Sequence, residues 1–350
     1  MARTANRIRT AILGASGYTG GELLRLLVHH PSVELRALTA DRRAGKTVAE
    51  VFPNLGHLEF PQMVAIEDVK WSDIDLAFGC LPHATTQEVV SKLPTSGKVI
   101  DISADFRLQE PAAYESWYGH KHAAVELQKE AVYGITELAR DAVKKARLIA
   151  NPGCYPTSAI LPLAPLLAAH QVAADSIIID AKSGVTSAGR TAKEANLFAE
   201  VSEGIHAYGV SYHRHMPEIE QELTRAAGTP ITVNFTPHLM PMNRGILSTI
   251  YVKLANGANA DALRATLAKR YKGEPFVHVV PKGVSPATRH VRGSNHCLIG
   301  VFPDRLPGRA IIVSVLDNLV KGASGQAVQN MNVQFGLPET TALEQEALFP

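Results

Sequence analysis

The sequence predicts an α/β protein of two domains, in which a doubly wound parallel sheet is followed by an α+β domain. Three observations predict this class. Apolar runs alternate with helical patterns from Ile8 to Ile102, the pattern changes after Asn151, and strand-like runs dominate residues 176–316. The length of 350 residues, of which 46% are apolar and 19% charged, suits two globular domains with substantial cores.

The first forty residues predict a βαβ unit. An apolar run from Ile8 to Leu13 leads into a Gly-rich turn, a helix that ends before Pro31, and a second strand at 33–38. Two further strands, at 74–80 and 99–102, enclose a helical pattern at 85–93. We therefore expect a parallel sheet covered by helices.

The later residues predict the α+β domain. A long apolar helix is expected at 156–169, and strands are expected at 176–181, 231–235, 247–254 and 310–316. A last helix, 318–332, carries Val320, Ala323, Ala327, Val328 and Met331 on one side and is expected to return to the first domain. The predicted domains are 1–150, completed by 318–350, and 151–317.

Composition and charge exclude several classes. The net charge is +2 and no stretch concentrates basic residues, so a nucleic-acid partner is not expected. No apolar run approaches the roughly 20 residues that span a bilayer, and the N-terminus lacks the apolar stretch of a secretory signal, so we expect a cytoplasmic protein. The three cysteines, Cys80, Cys154 and Cys297, are widely spaced and predict no disulfide framework.

The Gly-rich turn predicts a Rossmann-type dinucleotide site. Residues 14–20 read GASGYTG between a predicted strand and a predicted helix, where glycines let the backbone approach a pyrophosphate. The second strand runs into a charged loop that would contact the ribose. Asp41 there would accept hydrogen bonds from a free 2′-hydroxyl, whereas Arg42 and Arg43 would pair with a 2′-phosphate, so the two cations favour NADP over NAD.

Cys154 is the candidate nucleophile. It lies in NPGCYPT, just before a long apolar helical pattern, and Pro156 suits the first turn of that helix. The positive end of a helix is expected to lower the pKa of a thiol and to favour the reactive thiolate. Cys80 and Cys297 are instead expected to be small buried apolar residues.

The candidate acid or base is a histidine. His213 and His215 lie in HRHMPEI, a loop that enters a Pro-initiated helix, and only one of them is expected to reach the thiol, with His213 favoured. His120 and His122 also alternate, but no metal-ligand spacing accompanies them, so no metal site is expected. Two segments that follow strands offer groups for an anionic substrate, DISADFR ending at Arg107 and KSGVTSAGR ending at Arg190.

Eight ordered segments carry a family resemblance. They are GASGYTG, LPHATT, DISADFR, NPGCYPT, SGVTSAGR, HRHMPEI, PMNRGI and DNLVKGASGQAVQNMN. On these segments the chain resembles the N-acetyl-gamma-glutamyl-phosphate reductases, an arginine-biosynthesis family in the wider group of aspartate-semialdehyde and glyceraldehyde-phosphate dehydrogenases. The resemblance spans nearly the whole chain.

The resemblance implies NADPH-dependent reduction of N-acetyl-L-glutamyl 5-phosphate to N-acetyl-L-glutamate 5-semialdehyde and phosphate. Cys154 would form a thioester, hydride would then reach its carbon, and a histidine of HRHMPEI would return a proton. By the same comparison, Arg107 would meet the phosphoryl group and Asn318 would lie near the nicotinamide. The candidate substrate residues are Arg107, Asn151 and Arg190. The candidate cofactor residues are Gly14, Ser16, Gly17, Tyr18, Thr19, Gly20, Arg42, Arg43, Leu81, Pro82, Ser183, Gly184 and Asn318, of which Arg42 and Arg43 come from the charged loop and not from a motif of the family.

Three other functions remain open from the sequence. A related reductase acting on aspartyl phosphate or on a carrier-linked aminoadipyl phosphate would share the chemistry and differ in the remote end of its substrate. A non-catalytic NADP-binding sensor would bind cofactor without turnover, and a cysteine acyltransferase or hydrolase would be indifferent to NADPH. Homodimer and homotetramer are both compatible with the sequence.

Overall fold

The computed structural model describes residues 7–349, which form two compact units. Unit 1 consists of the residues up to Pro152 together with Ala323–Glu344, and unit 2 consists of Gly153–Gly322 together with the residues from Gln345 onward. Residues 318–322 and those after 344 therefore lie in unit 2, although the sequence prediction assigned all of 318–350 to the first domain. The N-terminal segment 1–6, where the absence of a signal was predicted, lies outside the described residues.

Unit 1 contains a sheet in which every strand pairing is parallel. Its strands are β1 (Ile8–Leu13), β2 (Val33–Thr39), β3 (Met63–Val64), β4 (Leu76–Gly79), β5 (Lys98–Asp101), β6 (Val132–Tyr133) and β7 (Leu148–Ala150). Its first six helices are α1 (Tyr18–Leu27), α2 (Val48–Val51), α3 (Thr86–Ser91), α4 (Pro111–Tyr118), α5 (Val125–Gln128) and α6 (Thr136–Lys145). The strand order is β3-β2-β1-β4-β5-β7-β6, so the winding reverses between β1 and β4. Ligands of such sheets bind beyond the carboxyl ends of the strands at this reversal.

Unit 2 contains a mixed sheet with helices packed against it. The strands are β8 (Val172–Gly184), β9 (His206–Ala207), β10 (Val233–Met240), β11 (Ile246–Leu254), β12 (Val277–Val279), β13 (Cys297–Pro303) and β14 (Arg309–Leu316). The helices are α7 (Cys154–Ala168), α8 (Phe198–Val201), α9 (Met216–Ala227) and α10 (Ala260–Arg270). The strand order is β12-β13-β14-β11-β8-β10-β9, and α7 packs against α9 and against β8, β11 and β14. The two-domain fold class predicted from the sequence is confirmed.

The last helix, α11 (Gly325–Gln334), follows a π-helical turn at Val320–Ser324 and belongs to unit 1. The sequence predicted one buried face, but every residue of α11 is buried. Its polar residues are accommodated because they are hydrogen-bonded: the Asn330 amide donates to the Gly134 carbonyl and to Asn151 Oδ1, and Gln329 donates to Glu137. Hydrogen bonding, not apolar composition, permits this burial.

No helix formed by residues 7–349 has both the length and the apolar composition needed to cross a membrane.

Asp101 is a fully buried carboxyl group at the carboxyl end of β5. It accepts hydrogen bonds from the Ser103 N–H at 2.9 Å and from the Ser103 hydroxyl at 2.8 Å. Burial, and secondly the charge of Asp105, raise the pKa of Asp101 to about 7. In the unfolded chain the group has the lower pKa of an exposed carboxyl, so the folded state binds the extra proton between about pH 4 and 7.

Because the folded state binds this extra proton, we predict that Asp101 makes the protein less stable as pH rises from about 4 to 7. The free energy of unfolding of the wild type, relative to Asp101→Asn, should fall by at most about 1.4 kcal/mol per pH unit in this window, and then level off. Urea unfolding of the wild type and of Asp101→Asn at pH values from about 4.5 to 8 measures this difference in the free energy of unfolding. The exposed Asp141→Asn serves as control and should follow the wild type; a pH-independent difference between Asp101→Asn and wild type would contradict the prediction.

Candidate active site

The Gly-rich turn of unit 1 connects β1 to α1 through very close backbone contacts. Gly14 has a φ of +76°, and a Cβ on it would lie 2.5 Å from the Cys80 carbonyl oxygen. A Cβ on Gly20 would lie 2.5 Å from the Ala15 carbonyl oxygen. Side chains are therefore excluded at both positions, which keeps the turn tight against the sheet.

The end of α1 in this turn is open to an anion. Gly17 is the residue before the helix, no side chain caps it, and the first turn contains no acidic residue. The first-turn N–H groups belong to Tyr18, Thr19 and Gly20, where the helix has its positive end. Ser16, next to Gly17, is half-buried. These residues occupy the positions that the sequence predicted for a pyrophosphate.

Leu81 and Pro82 lie at the same edge of the sheet as this turn. β4 pairs with β1, and the Leu81 nitrogen is 3.3 Å from the position of a Cβ on Gly14. The predicted cofactor residues of GASGYTG and LPHATT are thus brought together at the reversal between β1 and β4.

The charged loop after β2 is exposed to solvent. Asp41 and Arg42 are exposed and Arg43 is half-buried. Within residues 7–349, no hydrogen bond or ion pair engages the Arg42 and Arg43 guanidinium groups, so both are available to a phosphate.

Arg107 and Asn151 are more buried than a purely substrate-binding role requires. The Arg107 side chain is 6% exposed, and it donates to the carbonyls of Asn151 and Ile102, each at 2.8 Å. The Asn151 amide donates to the Ala323 carbonyl and its oxygen accepts from Asn330, each at 3.1 Å. Both side chains therefore hold the backbone of unit 1, and their contact with substrate stays a prediction.

Cys154 is the first residue of α7 in unit 2, as the sequence predicted. The residue before it, Gly153, has no side chain to cap the helix. Its N–H donates instead to Glu218 Oε1 at 2.7 Å, and Glu218 is only 1% exposed. The contact of Glu218 could not be predicted from the sequence, because no local pattern shows that a carboxylate of α9 reaches the start of α7.

Gly322 packs against the nucleophile. A Cβ on Gly322 would lie 2.7 Å from Cys154 Cβ and 3.2 Å from Cys154 Cα. Gly322 lies inside the π-helical turn Val320–Ser324, and such turns are frequent at functional sites. This contact was also missed, since 168 residues separate the two positions in the sequence.

His213 lies in an aromatic enclosure beside the start of α7. Its ring makes edge contacts with Tyr155, Tyr208 and Phe235, with centroids 5.9, 5.4 and 5.3 Å away. Burial, and secondly the charge of Arg214, lower the pKa of His213 to about 4, so the ring is neutral at neutral pH. His213 Nδ1 accepts the His215 N–H at 3.1 Å, which leaves the proton of the neutral ring on Nε2.

His215 lies in the same cluster, with its ring centroid 4.9 Å from that of His213 and 5.9 Å from that of Tyr155. Tyr208 is close enough to Cys154 for the thiolate charge to add to the rise that burial causes in the Tyr208 pKa. Unit 2 therefore gathers both predicted histidines near Cys154. Tyr155 and Tyr208, which the sequence analysis did not single out, complete the cluster.

The remaining predicted residues of unit 2 form a second group. Asn318 Oδ1 accepts the Gly245 N–H at 2.8 Å, and its amide donates to Thr186 Oγ1 at 2.9 Å. Ser183 is buried, and a Cβ on Gly184 would lie 2.6 Å from the Asn243 carbonyl oxygen. The segments that carry Ser183, Gly184 and Asn318 are thus packed together, whereas Arg190 is exposed.

Known proteins share the fold of this chain. The model of the semialdehyde dehydrogenase NAD binding domain matches residues 9–146, and that of the semialdehyde dehydrogenase dimerisation domain matches residues 154–318. Aspartate semialdehyde dehydrogenase II of Vibrio cholerae has a similar fold, with a TM-score of 0.71 at 19% identity over 95% of this chain and 99% of that one. The class defined by fold and site is therefore that of the semialdehyde dehydrogenases.

Full-length relatives define a narrower family. A protein of Rhodospirillum rubrum is 62% identical over 351 residues, covering 99% of this chain and 100% of the relative. One of Arabidopsis thaliana is 58% identical over 343 residues, covering 98% of this chain and 86% of the relative. The first is named N-acetyl-gamma-glutamyl-phosphate reductase, and the second is named as a probable chloroplastic one. The chain belongs to the N-acetyl-gamma-glutamyl-phosphate reductase family, which confirms the resemblance seen in the sequence.

The contact between Gly322 and Cys154 predicts that Gly322→Ala displaces the thiol. The added methyl group meets backbone and Cβ atoms at the start of α7, which cannot move aside as a flexible side chain would. Alkylation of Cys154 by iodoacetamide should slow by about two- to fivefold, because the rate follows the thiolate fraction and a displaced thiol loses about 0.3–1 kcal/mol of stabilisation from the positive end of the helix.

The matched control is Gly97→Ala, whose Cβ would meet nothing nearer than 3.6 Å. It should alkylate at the wild-type rate. An unchanged rate in Gly322→Ala, with the fold intact by circular dichroism, would show that the contact does not position the nucleophile.

Proposed function

We propose that this chain reduces N-acetyl-L-glutamyl 5-phosphate to N-acetyl-L-glutamate 5-semialdehyde and phosphate, with NADPH, in arginine biosynthesis. The observation that carries the proposal is the position of Cys154 at the start of a buried helix, beside a neutral histidine, in a chain whose full-length relatives bear that reductase name. A thiolate in such a position is the nucleophile that an acyl phosphate requires.

The residues of unit 1 fit a dinucleotide. The absence of side chains at Gly14 and Gly20, together with the uncapped start of α1, suits a pyrophosphate, and Arg42 and Arg43 suit a 2′-phosphate. Leu81 and Pro82 would border the cofactor, and Ser183, Gly184 and Asn318 of unit 2 are proposed to meet its nicotinamide end. When bound, NADPH supplies the hydride.

In the first step, the Cys154 thiolate attacks the acyl carbon of the substrate. A C–S bond forms, the bond from that carbon to the phosphate oxygen breaks, and phosphate leaves with the bonding electrons. The product is a thioester on Cys154. Arg107 and Arg190 are proposed to bind the anionic groups of the substrate, with Asn151 near the acyl group.

In the second step, reduction at the thioester carbon gives the oxyanion of a hemithioacetal. Its C=O bond re-forms as the C–S bond breaks, so the aldehyde and the Cys154 thiolate are released without net uptake of a proton. The oxygen needs a hydrogen-bond donor while negative charge develops on it. His213 suits this role because its neutral ring carries the proton on Nε2, since Nδ1 accepts the His215 N–H. His215 is the alternative donor, and comparison of His213→Asn with His215→Asn separates the two.

We further propose that unit 2 forms a homodimer through the uncovered face of its sheet. The paired residues Ile178, Tyr251, Ile311 and Phe302 form a row across β8, β11, β14 and β13 that is only partly buried. The match to a dimerisation domain supports association through unit 2, and a homotetramer built from such dimers is the alternative. None of Cys80, Cys154 and Cys297 forms a disulfide, which suits the reducing environment of the cytoplasm.

The function predicts phosphate-dependent reduction of NADP with N-acetylglutamate semialdehyde, which is the reverse reaction. Cys154→Ser should lower this rate by on the order of 10³-fold or more, because the hydroxyl is a much weaker nucleophile. The assay follows NADPH absorbance with purified protein, and Cys297→Ser controls for the loss of a thiol elsewhere. Turnover of aspartate semialdehyde instead would overturn the substrate, and no turnover with intact NADPH binding would favour the sensor.

The availability of the Arg42 and Arg43 guanidinium groups predicts that these residues determine the preference for NADPH over NADH. The double variant Arg42→Ala, Arg43→Ala should raise the KM for NADPH by on the order of 100-fold, since two charged hydrogen bonds to a phosphate, each contributing about 1.5 kcal/mol, are lost. The KM for NADH should change little. Arg36→Ala, which removes an exposed cation from β2, is the control. An equal rise in the KM values of both cofactors would show that these arginines do not read the 2′-phosphate.

A further inference from the structure

Ala84 has an unfavourable backbone conformation in the loop that follows β4. Its φ is +73°, in the left-handed region that non-glycine residues rarely adopt. The side chain is exposed, so packing of the methyl group does not explain the conformation. Such strain persists only where the surrounding structure imposes it.

Asp105 imposes it. This carboxylate is completely buried, and its Oδ1 accepts the Ala84 N–H at 2.8 Å and the Tyr114 hydroxyl at 3.1 Å. Its Oδ2 accepts the N–H groups of Thr86 at 3.0 Å and Gln87 at 3.3 Å. Four donors thus converge on one side chain, and three of them are backbone groups of the loop and of the first turn of α3.

Two further contacts fasten the same loop to the DISADFR segment. His83 Nδ1 accepts the Ala104 N–H at 3.1 Å, and the Gln87 amide donates to the Asp105 carbonyl at 3.2 Å. The loop therefore has a fixed shape that depends on residues about twenty positions later in the chain.

The loop lies where the cofactor is proposed to bind. It leaves β4 directly after the Cys80 carbonyl, which faces Gly14 of the Gly-rich turn. Leu81 and Pro82 are its first residues, so a change in the conformation of Ala84 or Thr86 moves one side of the crevice between β1 and β4.

We propose that Asp105 is a positioning residue for the cofactor, which holds the 81–86 loop in its strained shape and thereby shapes one wall of the NADPH site. The inference rests on the proposed function, because it presupposes that NADPH binds to unit 1. Asparagine cannot replace Asp105. Both carboxylate oxygens of Asp105 accept hydrogen bonds, whereas one of the two terminal groups of asparagine is an NH₂ group, which would face other donors and could not accept from them.

The experiment measures the Kd for NADPH by fluorescence titration of the full chain. Asp105→Asn should raise the Kd by at least about tenfold, because hydrogen bonds to a buried charge are lost. Adding Ala84→Gly to this variant should restore much of the affinity, because glycine adopts a φ of +73° without strain and needs less support from Asp105. The rate of Cys154 alkylation, which reports on unit 2, should not change in either variant.

A second variant keeps the inference testable if Asp105→Asn does not fold. Ala84→Val places a β-branched residue at the same positive φ, at an exposed position, and should also raise the Kd for NADPH by several-fold. Asp141→Asn controls for the loss of a carboxylate in unit 1.

The outcomes separate this inference from the proposed function. No binding of NADPH by the wild type would overturn the proposed function itself. Wild-type binding together with unchanged affinity in Ala84→Val, or in folded Asp105→Asn, would overturn the positioning role alone. A loss that Ala84→Gly does not rescue would also overturn it, since that loss would not arise from the shape of the loop.

Discussion

The packing at the start of α7 is the constraint on which the rest of unit 2 depends. Three parts of the chain meet there: Gly153 with Cys154, Glu218 of α9, and Gly322 of the π-helical turn. The helix beyond this point is buried along almost its whole length and contains Pro162 and Pro165. A buried helix that is packed on α9 and the sheet cannot slide, so Cys154 has a fixed position.

Glu218 fixes the entry of the chain into α7. Its carboxylate accepts the N–H of Gly153, the residue that precedes the helix and has no side chain to cap it. Because Glu218 belongs to α9, this bond ties the start of α7, and with it the position of Cys154, to a second helix of unit 2.

Features that depend on local sequence were predicted well. The bounds of β1 agree with the predicted strand, Cys154 begins α7, and α9 begins at the Pro-containing segment after His215. In each case neighbouring residues determine the structure, through apolar runs or through proline in the first turn. The positions of His213 and His215 near the nucleophile followed from the chemistry that a cysteine requires, not from any spacing in the sequence.

Features that depend on distant pairings were not predictable. Gly322 is a glycine because Cys154 occupies the space of its side chain, and Asp105 is buried because three backbone N–H groups and a tyrosine hydroxyl need an acceptor. The same holds for α11, whose polar residues suggest an exposed face until their partners are known. A polar residue can be buried at low cost only when its partner is present, and one sequence does not show which partner that is.

Arg107 and Asn151 show how this limit affects the prediction of a site. Both are polar, both follow strands, and both therefore suggest binding to a ligand. In the structure, Arg107 donates to two carbonyls, one of them that of Asn151, while the Asn151 amide is shared between Ala323 and Asn330. These bonds fix the backbone three residues before Cys154. Asn151 uses both its oxygen and an amide hydrogen for bonds within unit 1, so its side chain is better suited to positioning the backbone that leads to Cys154 than to binding a ligand.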